Sequence, residues 1–171
     1  HAPLPLGVGF HTAFRLPFKA ATPEARQAAR VWLSTGREYW ETDPERILPS
    51  GKLLPFPEEW DWQKRGICPT GQEISGHCPI ISGQLAGRDW RGAILESPAD
   101  GARITYEVDE AFRHWVLYNR GGQFDCFFPE PQTCMVNAFN LDLPPEVTGA
   151  QALAPGQTWS GNSKINLEML K

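Results

Sequence analysis

Proline and glycine interrupt this 171-residue chain so often that long helices are not expected. Each residue occurs 16 times, and both are spread along the sequence. Proline lacks a backbone N–H and clashes with the preceding helical turn, so a helix needs uninterrupted stretches that are scarce here. This spacing favours many short strands joined by turns. We therefore predict an all-β fold, as a large sandwich or a twisted sheet.

Alternation of polar and apolar residues locates the expected strands. They span residues 29–33, 37–40, 103–108, 114–118, 124–128 and 164–169. The strand 103–108 alternates with a period of two, as a strand with one buried face does, and residues 98–101 form a turn before it. The first two strands are predicted to pair with each other. The segments 114–118 and 124–128 are predicted to form a second antiparallel pair across Gly121-Gly122.

One short helical turn is expected ahead of these strands. Thr22 is suited to cap it, Pro23 fits the first helical position, and residues 24–29 favour helix. Neither an internal repeat nor a low-complexity segment is visible, so residues 1–171 are expected to form a single domain.

Charge and hydrophobicity exclude several classes of partner. The chain has 16 Lys and Arg against 20 Asp and Glu, a net charge of -4. Nucleic acids and membrane surfaces attract basic patches, so neither is expected as a partner. The sequence contains no run of 18 apolar residues, so no membrane-spanning helix is predicted.

The four cysteines do not form a metal or redox motif. Cys68, Cys78, Cys126 and Cys134 include no C-x-x-C pair, so a zinc ribbon or a thioredoxin-type site is not supported. Free thiols in a cytoplasmic protein are the preferred interpretation, with disulfides in a secreted protein as the alternative. We therefore expect a cytoplasmic protein with no bound metal.

Glu130 and His11 are the leading candidates for acid–base chemistry. Glu130 follows an apolar strand and lies between Pro129 and Pro131, which hold the backbone extended. A carboxylate held near aromatic residues tends to have a raised pKa, which suits a general base. A surface glutamate in a turn is the alternative. For His11, set among glycines and aromatics, composition alone indicates an ordinary, partly buried side chain.

Other residues allow two interpretations. An N-terminal His1 can chelate copper with a second histidine, but a truncation point explains it more simply. Residues 60–62, Trp-Asp-Trp, form either a sugar-stacking surface or part of the core. His114 alternates with Trp115 on a predicted strand and is expected to face solvent.

Five segments carry sequence motifs in a fixed order along the chain. They are residues 6–17, 48–62, 74–80, 128–140 and 154–160. The first reads L-G-V-G-F-H-T-A-F-R-L-P, and the fourth contains E-P-Q-T followed by N-A-F-N. Together they resemble the aldose 1-epimerase (galactose mutarotase) family, with Thr12 where the family has proline. The resemblance implies a galactose-mutarotase-like β-sandwich, of which this chain would be about the C-terminal half.

The resemblance also implies an activity, the interconversion of the α and β anomers of a free sugar. Glu130 would be the base that takes the anomeric proton, and His11 the acid that protonates the ring oxygen. His77 and Gln132 would bind the monosaccharide, and neither a metal nor a cofactor is implied. A half sandwich has open edges, so either a missing N-terminal half or a second copy is expected to cover them.

Two positions depart from the family pattern. Gly76 stands where the family has an aspartate that holds sugar hydroxyls, and Val116 stands where it often has a glutamine. These changes favour the alternative of a non-catalytic carbohydrate-binding relative on the same fold. A hexose-6-phosphate epimerase-like protein is a further alternative, which needs basic residues near the pocket. Arg15, Lys52 and Arg113 are the candidates for that role.

Overall fold

Two large antiparallel sheets form the framework of the described part of the molecule, and two further sheets there have two strands each. The computed structural model describes residues 2–43, 45, 48–85 and 88–170. The strands in this part of the chain are β1 (Leu4–Leu6), β2 (Phe14–Arg15), β3 (Arg30–Leu33), β4 (Glu38–Thr42), β5 (Pro49–Pro55), β6 (Ser75–Pro79), β7 (Gly83–Leu85), β8 (Arg88–Trp90), β9 (Gly92–Ser97), β10 (Ala102–Val108), β11 (His114–Tyr118), β12 (Cys126–Gln132), β13 (Gln151–Leu153) and β14 (Ser163–Met169). The α-helices there are α1 (Pro23–Ala28) and α2 (Pro145–Thr148), and three short 3-10 helices span Pro98–Asp100, Arg120–Gly122 and Ala138–Asn140.

The two large sheets pack face to face around one apolar core. Their strand orders are β2-β12-β11-β6-β4-β5 and β14-β10-β9-β3. The core includes Val31, Leu33, Ala93, Leu95, Tyr106 and Val108 from the four-stranded sheet, and Cys78, Trp115, Leu117 and Phe127 from the six-stranded sheet. The rings of Tyr106 and Trp115 meet across the interface, with centroids 6.4 Å apart. The predicted all-β sandwich is therefore confirmed.

The hairpin predicted around Gly121-Gly122 is present as β11 and β12. However, β12 starts two residues later than expected and continues through both prolines. The carbonyl of Pro131 accepts a hydrogen bond from the Phe10 N–H at 3.1 Å. The segment beside β12 thus pairs with it by donating hydrogen bonds to proline carbonyls. Because this pairing does not need the N–H groups that the prolines lack, the strand continues through them.

The predicted pairing of residues 29–33 with residues 37–40 is wrong. Both segments are strands, but β3 pairs with β9 in one sheet and β4 pairs with β5 and β6 in the other. The chain crosses from sheet to sheet between them, where the Thr35 hydroxyl donates to the Pro79 carbonyl at 2.8 Å. A connection this short resembles a hairpin turn in sequence, yet here it joins two layers.

Helix α1 forms as the sequence predicts. The Thr22 hydroxyl accepts a hydrogen bond from the Ala25 N–H at 3.2 Å, and Pro23 occupies the first turn. The helix stops at Ala29, whose backbone is extended. Among the described residues, no helix has the length and apolar character needed to cross a membrane.

A cover of irregular chain lies on the outer face of the six-stranded sheet. Met135 and Ala138 are buried there against Trp40 of β4, and Leu141, Leu143 and Ala150 pack around them. This second, smaller cluster shields the sheet face that carries Glu130 at one end. It decides which of the side chains on that face remain accessible.

Candidate active site

His11 and Glu130 meet because the segment before β2 runs antiparallel beside β12. Gly9 is bridged to Gln132, and the pairing of β2 with β12 continues in the same register. That register places residue 11 directly opposite residue 130. Paired residues project to the same side of a sheet, so the two side chains can touch.

The pair combines an exposed imidazole with a buried carboxylate. Nε2 of His11 lies 3.4 Å from Oε1 of Glu130, and the side chains are 78% and 10% exposed. Burial raises the pKa of the Glu130 carboxyl, and the nearby His11 opposes part of that rise. A carboxylate with a raised pKa is a stronger base. The arrangement therefore provides a proton acceptor beside a group that can donate a proton.

The structure overturns both ordinary interpretations of these residues. His11 is exposed rather than partly buried: besides the approach of Nε2 to Glu130, its ring meets that of Phe128 edge-on at a centroid distance of 5.8 Å, and most of the side chain remains accessible. Glu130 is not a surface residue in a turn, because it lies inside β12 and only 7% of its surface is accessible.

Hydrogen bonds on both sides hold the His11 segment to β12. The Val8 carbonyl accepts from the Thr133 N–H at 2.9 Å, and the Val8 N–H donates to the Thr133 hydroxyl at 2.9 Å. Beyond His11, the Thr12 hydroxyl donates to the Pro129 carbonyl. The threonine that replaces the family's proline thus forms a tether of its own.

A cleft of about 340 Å³ adjoins the pair and is lined by residues 7–11, Glu130, Gln132 and Cys134. Its size is at the lower end of the range for small-molecule sites. A Cβ at Gly9 would lie 3.0 Å from Cγ of Gln132. Glycine at that position therefore gives the Gln132 side chain room beside Glu130, and the structure brings these residues together with His11.

His77, the other predicted substrate-binding residue, shares the face but not the cleft. Val116 pairs with Glu130 on one side and with His77 on the other, so all three project to the same side of the sheet. His77 lies two strands from Glu130, about 10 Å away. Its side chain is buried, and burial lowers the pKa of His77 to about 4. It is therefore neutral at physiological pH.

Gly76 does not project toward Glu130, which corrects its expected role. Successive residues of a strand alternate between faces, and His77 is on the Glu130 face, so position 76 is on the opposite one. A side chain there would enter a hollow bordered by Leu117 and Tyr39. The position of the six-stranded sheet that lines up with Glu130 and Val116 is therefore residue 77.

The expectation that His114 faces solvent is wrong. It is 3% exposed, because the cover on the outer sheet face lies over it and Trp40 packs against it with ring centroids 6.4 Å apart. Burial lowers the pKa of His114 to about 4, with smaller contributions from Arg113 and His77. A backbone group of Val147 partly offsets this lowering of the His114 pKa. It does not form a hydrogen bond with either ring nitrogen.

The ring nitrogens of Trp40, His77 and His114 have no hydrogen-bond partner within the described part of the chain. A larger cavity of about 700 Å³ lies beside two of these rings, at the Trp40 and His114 positions. Because buried polar atoms without partners cost free energy, this region is a weak point in the packing of the outer face.

The two tryptophans of the Trp-Asp-Trp segment differ in burial. Trp62 is 2% exposed and belongs to the core. Trp60 is half-buried, donates from Nε1 to Oε1 of Gln72 at 2.9 Å, and borders a hollow of about 360 Å³ with Tyr39 and Phe56. This hollow is separate from the Glu130 cleft.

The basic residues considered for a sugar phosphate are far apart. Arg15 lies on β2 and Lys52 on β5, at opposite edges of the six-stranded sheet, five strand spacings or about 24 Å apart. Arg113 donates to the Glu146 carbonyl at 2.8 Å. They form no common cluster at the cleft, so they do not support the phosphate alternative.

The cysteines and potential metal ligands are dispersed as well. All four cysteines are free thiols. Within residues 2–43, 45, 48–85 and 88–170, no three His, Cys, Asp or Glu side chains are grouped to hold a metal ion. His1, on which the copper alternative depends, lies outside the described residues.

Comparison with known proteins agrees with the motifs and the fold. The model of the aldose 1-epimerase family matches residues 1–166. The chain belongs to the aldose 1-epimerase family. A galactose mutarotase-like protein from Clostridium acetobutylicum has a similar structure, with a TM-score of 0.87 and 28% identity. The match covers 98% of this chain and 49% of the clostridial one.

Two more distant structures share the fold. A protein from Escherichia coli K12, provisionally named an aldose 1-epimerase, gives a TM-score of 0.71 at 23% identity, over 98% of this chain and 52% of its own. A protein from Synechocystis sp. PCC 6803 gives 0.65 at 17% identity, over 98% and 46%. This chain thus spans about half the length of each of these three structures.

Proposed function

We propose that this chain carries the acid–base pair of an aldose 1-epimerase and interconverts the α and β anomers of a free monosaccharide. The observation that carries the proposal is the placement of His11 opposite Glu130, 3.4 Å apart, at a cleft that also holds Gln132. The family assignment agrees with it. This chain spans about half the length of the structures that it matches, so the activity of a whole aldose 1-epimerase is a proposal for it.

In the proposed reaction, the Glu130 carboxylate takes the proton from the anomeric hydroxyl. His11, in its protonated form, gives a proton to the ring oxygen as the bond between C1 and that oxygen breaks. The open-chain aldehyde rotates about C1–C2 and closes on its other face, and the two proton transfers run in reverse. Each group ends as it began, so no other reactant is consumed.

The environment of each group suits its role. Glu130 must be ionised to accept a proton, and its raised pKa makes it a stronger base than an exposed glutamate. His11 is open to solvent on the cleft side, where a sugar ring oxygen can reach Nε2. Gln132 projects from the same side of β12 as Glu130 and offers an amide to a sugar hydroxyl.

Mutarotation of a panel of aldoses, followed by polarimetry or NMR, tests this proposal. We expect Glu130→Gln and His11→Asn each to reduce the rate by about a hundredfold or more, the usual scale for losing a general acid or base. Glu58→Gln, an exposed glutamate outside the cleft, is the matched control and should retain the rate. If the two cleft variants turn over aldoses as fast as the unaltered chain, the assignment is wrong.

A second candidate is a carbohydrate-binding protein on this fold without catalysis. The observation that favours it is the apolar Val116 directly beside Glu130, with His77 beyond it buried under the cover. Fewer hydroxyl contacts are then available to orient a sugar for reaction. Sugar binding measured by calorimetry, without any acceleration of mutarotation, would select this candidate.

A further inference from the structure

Two aromatic side chains lie beside the acid–base pair on the outer face of the six-stranded sheet. Phe128 of β12 pairs with Tyr118 of β11, and their ring centroids are 5.7 Å apart. Side chains two residues apart on a strand project to the same side, so Phe128 shares a face with Glu130. Phe128 and Tyr118, which we call the aromatic platform, therefore form the row of the sheet next to that of Glu130 and Val116.

The aromatic platform is open to solvent. Tyr118 is 43% exposed and Phe128 is half-buried, whereas His114, at the other end of β11 on the same face, is only 3% exposed under the cover. The cover therefore leaves the platform accessible. Single exposed apolar side chains are common on protein surfaces, but adjoining exposed rings next to a cleft are typical of a binding surface.

The aromatic platform begins at the proposed acid. The imidazole of His11 meets the ring of Phe128 edge-on at a centroid distance of 5.8 Å. Tyr118 lies further out, on the diagonal from Glu130, a position that corresponds to about 7 to 8 Å between the two residues. A ligand whose reacting atom lies between His11 and Glu130 therefore passes over Phe128 before it reaches Tyr118.

Polar groups border the aromatic platform. Ser75 of β6 pairs with Tyr118 on the side away from Phe128, and it is exposed. In the loop that joins β11 to β12, the guanidinium of Arg120 lies 4.1 Å from the ring centre of Phe124, which is 50% exposed. A sugar ring has a face of C–H groups and a rim of hydroxyls, so it complements an aromatic surface with polar groups around it.

We propose that the aromatic platform is a second sugar-binding subsite, which holds the next residue of a reducing disaccharide or longer sugar whose reducing end lies at His11 and Glu130. The reacting ring must have its anomeric carbon at that pair, so Tyr118, on the diagonal, is placed to stack on the residue that follows. The position of the reducing end rests on the proposed function. The stacking of a sugar on the aromatic platform does not.

Mutarotation rates test the subsite. Maltose, lactose and melibiose all have glucose at the reducing end, so glucose itself is the reference substrate. We expect kcat/KM for at least one of the three disaccharides to exceed that for glucose. Tyr118→Ala should lower kcat/KM for that disaccharide by about tenfold, the scale of one aromatic contact, and leave the value for glucose unchanged.

A matched variant controls for the loss of an exposed ring. Phe139 is 52% exposed and lies outside the aromatic platform, so Phe139→Ala should change kcat/KM for neither sugar. Circular dichroism establishes that both variants are folded. An equal loss for glucose and the disaccharide in Tyr118→Ala would mean that Tyr118 contacts the reacting ring, and this would overturn the subsite. The absence of any preference for a disaccharide would overturn it as well.

A binding measurement separates this inference from the proposed function. In Glu130→Gln, which lacks the proposed base, saturation-transfer NMR should show transfer to both rings of the preferred disaccharide. Adding Tyr118→Ala should remove the transfer to the non-reducing ring. This pattern in a chain that accelerates no mutarotation would support the subsite and refute the proposed function. Accelerated mutarotation without transfer to the non-reducing ring would overturn the subsite and leave the acid–base assignment intact.

Discussion

The buried histidines on the outer sheet face should make the protein sensitive to mild acid. His77 and His114 each have a pKa lowered by burial to about 4, against 6.5 for an ordinary histidine. The unfolded chain therefore binds more protons than the folded chain between these two values. The unfolding free energy therefore keeps its full value, as far as these two histidines determine it, above about pH 6.5, and it falls as the pH drops toward 4.

The size of the effect follows from that window. With a pKa shift of this size, each histidine lowers the unfolding free energy by about 2 kcal/mol when the pH falls from 7 to 5. The rings interact with each other and with Arg113, so the two contributions are linked. Losing about 2 to 4 kcal/mol is a large part of the stability of a domain this size.

His114→Leu tests this reasoning. Leucine is close to histidine in volume, does not titrate, and removes two buried nitrogens that lack partners. Urea unfolding should show a gain of about 1 to 3 kcal/mol at pH 7 and a smaller loss between pH 7 and pH 5. Val116→Ile, on the same strand, is the control and should keep the original pH dependence.

NMR titration of the imidazole protons gives an independent measurement. The reasoning fails if His114 titrates near 6.5, or if His114→Leu unfolds with the same pH dependence as the unaltered chain. Either result would mean that the ring is hydrated or hydrogen-bonded in solution.

Three further changes have definite expected outcomes. Glu130→Gln should raise the unfolding free energy at pH 7, because burial raises the pKa of that carboxyl and penalises its ionised form. Measured by urea unfolding, the gain should vanish below the ordinary glutamate pKa of 4.5. A loss of stability at pH 7 would contradict this sign. Gly9→Ala should displace Gln132 and slow mutarotation while circular dichroism stays unchanged, whereas Gly36→Ala, where a Cβ meets an ordinary 3.7 Å contact, should have no effect on the rate. Trp115→Ala should lower the unfolding free energy by about 3 to 5 kcal/mol in urea unfolding. Phe139→Ala, at an exposed position, is the control and should cause a smaller loss. Equal losses for the two variants would show that Trp115 is not in the core.

Local patterns in the sequence predicted six of the fourteen strands and one of the two α-helices in the described residues. The alternation in residues 103–108 and 164–169 gave β10 and β14 to within one residue, and the cap at Thr22 gave α1. The pairing of strands was harder, because a four-residue link between two strands is compatible with a hairpin or with a crossing between layers. The partners of the two strands distinguish these possibilities, since β3 pairs with β9 in one sheet and β4 pairs with β5 and β6 in the other.

The candidate site shows the same division between local and distant information. Sequence motifs made Glu130 and His11 the candidates, but the burial of Glu130 and the exposure of His11 depend on how distant elements cover the sheet. His114 was expected at the surface because the strand alternation separates it from the buried Trp115. The alternation is real, yet both faces of β11 are covered, one by the second sheet and the other by the residues around Met135.

The distinction between Gly76 and His77 has the greatest bearing on specificity. A motif comparison aligns letters along the chain, whereas a site is built across strands, and a shift of one residue moves a side chain to the other face. The register aligns Glu130, Val116 and His77, so the contacts available beside the carboxylate are a valine and a neutral, buried imidazole. Under the proposed function, the side chains of this chain that remain to contact a sugar at the cleft are therefore those of Gln132 and His11.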